Sequence, residues 1–235
     1  VVQQFASPRA TYATQLAFAM PKELSQACHA LTLDGVGRPP HDAPLPSSGR
    51  PVSGWTLVVD RLADLPPAVT SYPAMTAREY IMQPRATRRT VPKILNLSRS
   101  YGYQTLGYYC SLLAEARGHK VLPAVTTVLE LSRRSSYVYA LAELEETLNR
   151  TIRHLAEPPN ASFRLLVCLG QPDDVRFGRF ARQLFDWFRC PILEVFVKAG
   201  EVWRVRKIAP VAISELGEVG KAQLAAAIPT YFRQP

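Results

Sequence analysis

The sequence predicts a mixed α/β domain, with one mixed sheet and helices on its faces in a three-layer-like arrangement. From residue 55 onward, short apolar runs alternate with helical repeats in the order β-α-β-α-α-β-α-β-β-α. The two early strands are separated by a helical segment, which favours parallel pairing. The two late strands are separated only by Ala199, Gly200 and Glu201, which is typical of an antiparallel hairpin.

Five apolar runs have the length and composition of buried strands. They are Trp55–Asp60, Lys93–Leu97, Phe163–Leu169, Ile192–Lys198 and Val202–Ile208, with a shorter extended piece at Val121–Leu122. Valine, isoleucine, leucine and phenylalanine dominate these runs, as expected for strands inside a domain. The first strand ends in an acid, Asp60.

The helical segments show apolar residues three or four apart, or clear end signals. They are Thr76–Ile81, Leu106–Arg117, Thr126–Leu131, Tyr139–Leu155, Val175–Phe188 and Val219–Phe232. Thr76 is a predicted N-cap and Gly118 is predicted to end its helix at the C′ position. Pro229 is expected to kink or end the last helix.

The first 53 residues differ from the rest of the chain. Residues 35–54 are rich in proline and glycine and nearly devoid of bulky apolar side chains, so they cannot bury much surface. Residues 12–31 have a weak helical repeat. We predict a poorly structured arm and proline-rich linker over residues 1–53 and a single folded domain over residues 54–235.

The net charge of +9 is concentrated in one part of the chain. Residues 78–120 carry eight lysines and arginines against two acids, Glu79 and Glu115. A focused positive field there favours an anionic partner, such as a nucleic acid, a nucleotide or a carboxylate-rich substrate. A solvated basic surface explains the same composition equally well.

The cysteines and the hydropathy pattern indicate a cytoplasmic protein with no membrane partner. Cys28, Cys110, Cys168 and Cys190 form no CxxC pair and have no histidine at metal-ligand spacing, so we expect reduced, structural thiols. No run of 18 apolar residues is present, and the N-terminus lacks the pattern of a secretory signal.

Common catalytic motifs are absent from the sequence. There is no P-loop, no GxGxxG after a strand, and no HExxH or Cys/His cluster, so we predict no metal site. Cys110 lies in a helix with no histidine near it in sequence, which argues against a nucleophile. No residue is therefore assigned a catalytic role.

One loop stands out as a candidate binding site. It follows the strand Lys93–Leu97 and leads directly into the next helix, and ligands of open α/β sheets lie at such strand ends. The candidate substrate-binding residues are Asn96, Ser98, Arg99, Ser100, Tyr101, Tyr103, Thr105, Gly107, Tyr108 and Tyr109.

Three interpretations of this loop remain open. Its tyrosines, interleaved with Arg99, are typical of a base-stacking surface for single-stranded nucleic acid. They are equally typical of a small-molecule pocket in which Arg99 pairs with a carboxylate or phosphate. Alternatively, the rings pack against neighbouring helices and only their hydroxyls reach water.

The same segment, NLSRSYGYQTLGYYCSLLAEARGHKVLPAV, resembles the hallmark segment of the N-terminal domain that precedes RimK-like ATP-grasp ligases. The resemblance is carried by Asn96–Tyr101, Tyr103, Gly107–Tyr109 and Ser111–His119. Further matches are the strand ending in Asp60, Ala77–Tyr80, and VWRVRKIAPVAISEL with the closing helix. Gly102 departs from the pattern, since relatives often carry a larger, frequently basic residue there.

The resemblance implies an α/β accessory domain that works with an ATP-grasp catalytic domain, either fused or separate. Such proteins are similar to ATP-dependent carboxylate–amine ligases, which form an acyl phosphate that an amine then attacks. ATP and magnesium are expected only in that catalytic domain, whose lid and metal ligands this sequence does not show. We therefore expect no cofactor in this chain and no ligation by this chain alone.

Within such a ligase, we expect the domain to recognise an anionic amino-acid or peptide substrate. Arg99 would pair with a carboxylate, Ser98, Ser100 and Thr105 would donate hydrogen bonds, and Tyr101, Tyr103 and Tyr108 would form walls. The alternatives are a basic nucleic-acid-binding module and a purely structural domain that docks on the ligase.

Overall fold

A computed structural model describes residues 54–83 and 92–233. Its strands are β1 (Trp55–Val59), β2 (Ala74–Thr76), β3 (Lys93–Asn96), β4 (Lys120–Leu122), β5 (Phe163–Cys168), β6 (Gln171–Pro172), β7 (Ile192–Lys198) and β8 (Arg204–Pro210). Its helices are α1 (Ala77–Met82), α2 (Leu106–Ala116), α3 (Val125–Ser132), α4 (Val138–Arg153), α5 (Gly178–Phe188) and α6 (Glu218–Phe232). The predictions for residues 1–53, including Cys28 and the weak helix at 12–31, lie outside the described residues.

The first sheet is parallel and has the strand order β2-β1-β3-β4. Leu57 of β1 is paired with Ala74 of β2 on one side and with Leu95 of β3 on the other. Strand β1 therefore lies inside the sheet, with β2 on one side and β3 followed by β4 on the other. This order creates a topological switch point between the carboxyl ends of β1 and β3.

The second sheet is antiparallel and has the order β6-β5-β7-β8. Strands β7 and β8 form the predicted hairpin, although β8 starts and ends two residues later than the predicted Val202–Ile208. The α/β class, the parallel early strands and the late hairpin are confirmed. The expected single mixed sheet is instead two four-stranded sheets, because β5 and β7 bond to each other and to no strand of the first sheet in the described chain.

Side chains from the helical layer cover the outer edge of β8. The backbone N–H of Val205 donates to a carboxylate oxygen of Glu145 at 2.9 Å. The guanidinium of Arg134 donates to the carbonyl of Val205 at 3.1 Å and also to the carbonyl of Arg206. The backbone N–H and carbonyl of Val205 and the carbonyl of Arg206 at this edge are therefore paired with side chains.

Helices cover both faces of the parallel sheet. On one face, α1 and α2 pack on Val58 and Ile94, burying Tyr80, Cys110 and Ala114. On the other face, α6 packs on β1 and β3 in a core that also includes the ends of β5 and β7, at Cys168 and Ile192. The two sheets thus share a hydrophobic core around α6.

Strands β5 and β7 of the antiparallel sheet alternate between two faces, and a β-bulge in β8 shifts its alternation by one residue. Leu165, Val167, Val195, Val197, Val205 and Ile208 point into a large core with α4 and α5. The opposite face is covered by α6 at one end, where the Cδ2 atom of Leu166 approaches Gly220 closely. At the end near the β7–β8 turn this face carries exposed and half-buried residues.

The end signals at Thr76 and Gly118 were predicted correctly, whereas the last helix does not end at Pro229. Thr76 caps α1 through a reciprocal capping box with Glu79, and Gly118 follows α2 with φ +75°. Helix α6 continues past Pro229 to Phe232. Its last turn is held by packing, since the Phe232 ring stacks on Trp55 with centroids 4.9 Å apart.

Candidate functional site

The candidate loop lies at the switch point of the parallel sheet. It leaves β3 at Asn96 and enters α2 after Thr105, beside the segment that leaves β1 at Asp60. The backbone N–H of Leu97 donates to the carbonyl of Val58 at 2.7 Å, which extends the β1–β3 pairing to the start of the loop. In a sheet of this order, ligands bind in the crevice between these two strand ends.

Asn96 is the fully buried centre of the loop. Its amide nitrogen donates to the carbonyl of Gly107 at 2.8 Å and to the hydroxyl of Ser111 at 3.0 Å. Its amide oxygen accepts from the hydroxyl of Ser98 at 2.7 Å and from the Ser98 backbone N–H at 3.2 Å. One side chain therefore joins β3, the loop and α2.

Two further buried hydroxyls extend this hydrogen-bond network. The Tyr101 hydroxyl donates to the carbonyl of Asn96 at 2.7 Å, and the Ser111 hydroxyl donates to the carbonyl of Pro123 at 2.8 Å. Burial raises the pKa of Tyr101 well above its ordinary value, so the phenol stays neutral. These groups are paired within the protein.

The start of α2 is fixed by a cap and a close contact. The Thr105 hydroxyl accepts from the backbone N–H of Tyr108, and its single hydrogen is shared between the carbonyls of Ser100 and Gly102, at 2.8 and 2.7 Å. A Cβ atom at Gly107 would lie 2.3 Å from the carbonyl oxygen of Ser100. Only glycine therefore allows α2 to pack this closely against the loop.

Arg99 faces solvent and contacts two acids that follow β1. Its backbone N–H donates to a carboxylate oxygen of Asp60 at 2.6 Å. Its guanidinium lies 3.4 Å from a carboxylate oxygen of Asp64, whose side chain is only 8% exposed and also bonds Arg61 at 3.0 Å. The Arg99 side chain itself is 42% exposed.

The Asp64 carboxyl is held in its charged form. Burial alone raises its pKa, but hydrogen bonds and charge from Arg61 and Arg99 outweigh that effect and lower the pKa below the ordinary value. The crevice thus contains a carboxylate paired with a guanidinium, with Asp60 nearby.

Three tyrosine rings form an aromatic cluster in which Tyr108 contacts both Tyr103 and Tyr109. Tyr103 is 57% exposed and meets the buried Tyr108 edge-to-face, with centroids 5.4 Å apart. Tyr108 in turn meets the half-buried Tyr109 at 5.6 Å. Burial, followed by the neighbouring tyrosines, raises the pKa of Tyr108. Tyr103 is the ring of this cluster that is most open to a ligand.

The structure brings all ten candidate residues together but exposes them unequally. Arg99, Ser100 and Tyr103 are exposed, and Thr105 and Tyr109 are half-buried. The remaining residues are buried, namely Asn96, Ser98, Tyr101, Gly107 and Tyr108. The hydroxyls of Ser98 and Thr105, expected to donate to a ligand, are occupied by internal hydrogen bonds.

Sequence reasoning missed the acids that face Arg99. The sequence showed that Asp60 ends a strand. It did not indicate a role for Asp64, because Asp64 and its partner Arg99 are 35 residues apart in the chain. It also missed that Arg117 binds the end of α1, donating to the carbonyls of Tyr80, Ile81 and Gln83 at 2.7 to 3.0 Å.

Within the described part of the basic stretch, one of the cations is engaged inside the protein. Arg117 is bound internally, and Arg85, Arg88 and Arg89 lie outside the described residues. His119 is hydrogen-bonded through Nδ1 to the Tyr80 hydroxyl at 2.7 Å. Burial, followed by the charge of Arg117, lowers the pKa of His119.

Residues 54–83 and 92–233 offer little scope for metal or thiol chemistry. No group of three or more His, Cys, Asp or Glu side chains in this part of the chain is placed to hold a metal ion. Cys110, Cys168 and Cys190 are buried free thiols, and burial raises the pKa of each to about 12. Among the described helices, none has the length and apolar character needed to cross a membrane.

Comparison with known proteins places the chain in a family. The family model described as the RimK-like ATP-grasp N-terminal domain matches residues 77–227, and no curated protein matches. Among solved structures, the chain is similar to a crystal structure of a RimK domain protein ATP-grasp from Sphaerobacter thermophilus DSM 20745. The identity is 13% and the TM-score 0.47, with 74% of this chain and 99% of that chain covered. Because the family model spans more than half of the 235 residues, the chain belongs to the RimK-like ATP-grasp N-terminal domain family.

Proposed function

We propose that this domain recognises the substrate of an ATP-grasp carboxylate–amine ligase, acting with a catalytic domain that is fused or separate. The observation that carries the proposal is the exposed Arg99 guanidinium at the β1–β3 switch point. Family membership supports the association with ATP-grasp proteins. The ligand would be an amino acid or a peptide with a free carboxylate.

Arg99 is suited to exchange one carboxylate for another. Its contact with Asp64 is long, at 3.4 Å, and part of its side chain is open to solvent. Asp64 retains its shorter bond to Arg61, at 3.0 Å, when Arg99 turns to a ligand. A planar guanidinium binds a carboxylate through two parallel hydrogen bonds, which gives orientation as well as affinity.

The neighbouring groups would complete the site. Ser100 is exposed beside Arg99 and offers a hydroxyl, while Tyr103 presents an open aromatic face. The buried Tyr108 ring packs edge-to-face against the Tyr103 ring. Asp60 holds the backbone of Arg99 and so fixes where the arginine side chain starts.

The test is direct binding to the 235-residue protein. Isothermal titration calorimetry would use amino acids and dipeptides with a free carboxylate, and the same compounds with that carboxylate amidated. We expect binding of the free acids only, and a loss of about tenfold in affinity for Arg99→Gln, since a bidentate charged pair is removed.

A matched control is Arg179→Gln, which removes an exposed arginine from α5. This variant should bind as the wild type does. The proposal fails if no free acid binds, if the amidated compounds bind equally well, or if Arg99→Gln and Arg179→Gln behave alike.

A purely structural role is the second candidate, and a specific observation favours it. The side chains of Asn96, Ser98, Tyr101 and Ser111 are buried and occupied by internal hydrogen bonds. In that case the loop holds the domain together or docks it on the ligase, and Arg99→Gln lowers thermal stability or domain association without changing ligand affinity. Base stacking at this loop is less favoured, because Tyr101 and Tyr108 are buried.

A further inference from the structure

The antiparallel sheet has one face that is only half covered. Helix α6 covers the end that contains Cys168, Ile192 and Leu166. Toward the β7–β8 turn the same face carries Arg164, Phe196, Lys198 and Lys207, which we call the cationic sheet face. Its three cations are exposed and its one aromatic ring is half-buried.

The strand register sets these side chains in a row. Arg164 of β5 is paired with Phe196 of β7, and Phe196 is paired with Lys207 of β8. The Arg164 guanidinium lies 4.7 Å from the centre of the Phe196 ring, and the Lys207 ammonium lies 5.8 Å from it. The ring is therefore flanked by a cation on each neighbouring strand.

The charge of this face is strongly one-sided. Lys198 lies two residues beyond Phe196 and so shares its face. Glu194 is the acid that the register places among these residues, 3.8 Å from Arg164, whose side chain is 69% exposed. Three cations against one carboxylate create a local positive field that attracts polyanions.

We propose that the cationic sheet face binds single-stranded nucleic acid. Single-strand binding surfaces combine cations that follow the phosphates with aromatic rings or guanidinium planes on which bases stack. An acidic protein segment would use the cations but would gain little from an aromatic ring between them. This inference is independent of the substrate site at Arg99, which lies on the parallel sheet.

The test is fluorescence anisotropy of the full chain with a labelled oligouridine of about 20 nucleotides, long enough for one site. Each phosphate contact on a single strand contributes a slope of about −0.7 to the dependence of log K on log salt. With about three such contacts, we expect affinity to fall about 20-fold between about 50 and 200 mM salt.

Three variants test whether binding depends on the cationic sheet face or only on the positive charge of the protein as a whole. Lys207→Glu should weaken binding by about tenfold, because an attractive contact to phosphate becomes repulsive. Phe196→Leu keeps apolar volume but removes the aromatic face, and should weaken binding by about fivefold. Arg182→Glu, an equal charge change on α5 beyond the opposite face, should change affinity less than about twofold.

Circular dichroism would confirm that each variant is folded, and Arg164→Gln offers a second substitution that leaves the ring in place. The proposal is overturned if no binding is seen at the lower salt, or if Arg182→Glu weakens binding as much as Lys207→Glu. It is also overturned if polyglutamate competes as well as the oligouridine, which would identify a docking surface for acidic protein segments.

Discussion

The backbone N–H of Arg99 donates a 2.6 Å hydrogen bond to the carboxylate of Asp60, and this bond joins the ends of two neighbouring parallel strands. The donor follows β3 and the acceptor follows β1, so the contact spans the switch point of the sheet. A charged acceptor makes such a bond stronger than an ordinary backbone bond. The position of the exposed arginine therefore depends on an acid 39 residues earlier in the chain.

Replacing Asp60 should loosen this edge of the sheet. We expect Asp60→Ala to lower the free energy of unfolding by about 1 to 2 kcal/mol, because the N–H of Arg99 loses a charged acceptor. Urea denaturation at an unchanged m-value would measure the effect. Asp186→Ala, which removes an exposed acid paired with Arg189, should stay within about 0.5 kcal/mol of the wild type.

Gly107 should tolerate no side chain. Gly107→Ala places a Cβ atom 2.3 Å from the carbonyl oxygen of Ser100 and 2.8 Å from the Cβ of Ser98, both in a packed region. We expect a loss of about 3 kcal/mol in stability, measured by urea denaturation.

The matched control for this substitution is Gly178→Ala at the start of α5, where an added Cβ meets nothing within 4 Å. Alanine there should be neutral or stabilising by up to about 1 kcal/mol. Equal effects of the two substitutions would show that α2 and the loop can move apart.

Asn96 should be among the most sensitive polar residues of the domain. Asn96→Ala leaves the hydroxyl and the backbone N–H of Ser98 without their acceptor and removes a donor from the carbonyl of Gly107 and the hydroxyl of Ser111. Each buried group that loses a hydrogen bond costs stability. We expect a loss of about 3 kcal/mol in the free energy of unfolding. Asn160→Ala, at an exposed asparagine, should stay within about 0.5 kcal/mol.

The Asp64 pair predicts a definite pH dependence. Since the folded-state pKa of Asp64 is below its ordinary value of 3.8, its charged form stabilises the folded state above pH 3.8. That contribution is lost as the pH falls below 3.8 and through the folded-state pKa. The melting temperature of the wild type should therefore exceed that of Asp64→Asn near neutral pH, and the gap should narrow below pH 3.8. A gap that is constant with pH would show that the carboxyl does not act through its charge.

Local signals in the sequence predicted most of the fold. The cap at Thr76, the helix end at Gly118 and the hairpin at Gly200 depend on residues close in sequence, and all three are present. Strands β2 and β6 were missed because they have three and two residues. Such short strands are defined by the partner they pair with and have no periodicity of their own.

The candidate loop was predicted by its position and composition, but the use of each side chain was not. Donors such as Ser98 and Thr105 are visible in the sequence, whereas the acceptors that occupy them are set by the fold. The pairing of Arg99 with Asp64 joins segments far apart in the chain, which a single sequence does not reveal. The surplus of basic residues likewise gave no sign that Arg117 binds the end of α1.

The covered edge of β8 has a consequence for how copies of this protein meet. An open strand edge has unpaired backbone N–H and C=O groups, to which another chain can add a strand, and such addition leads to aggregation. Here Glu145 and Arg134 already occupy the backbone groups of Val205, so a second copy would have to displace charged side chains to extend the sheet. Growth by strand addition is thus opposed at β8, and self-association would have to use another surface.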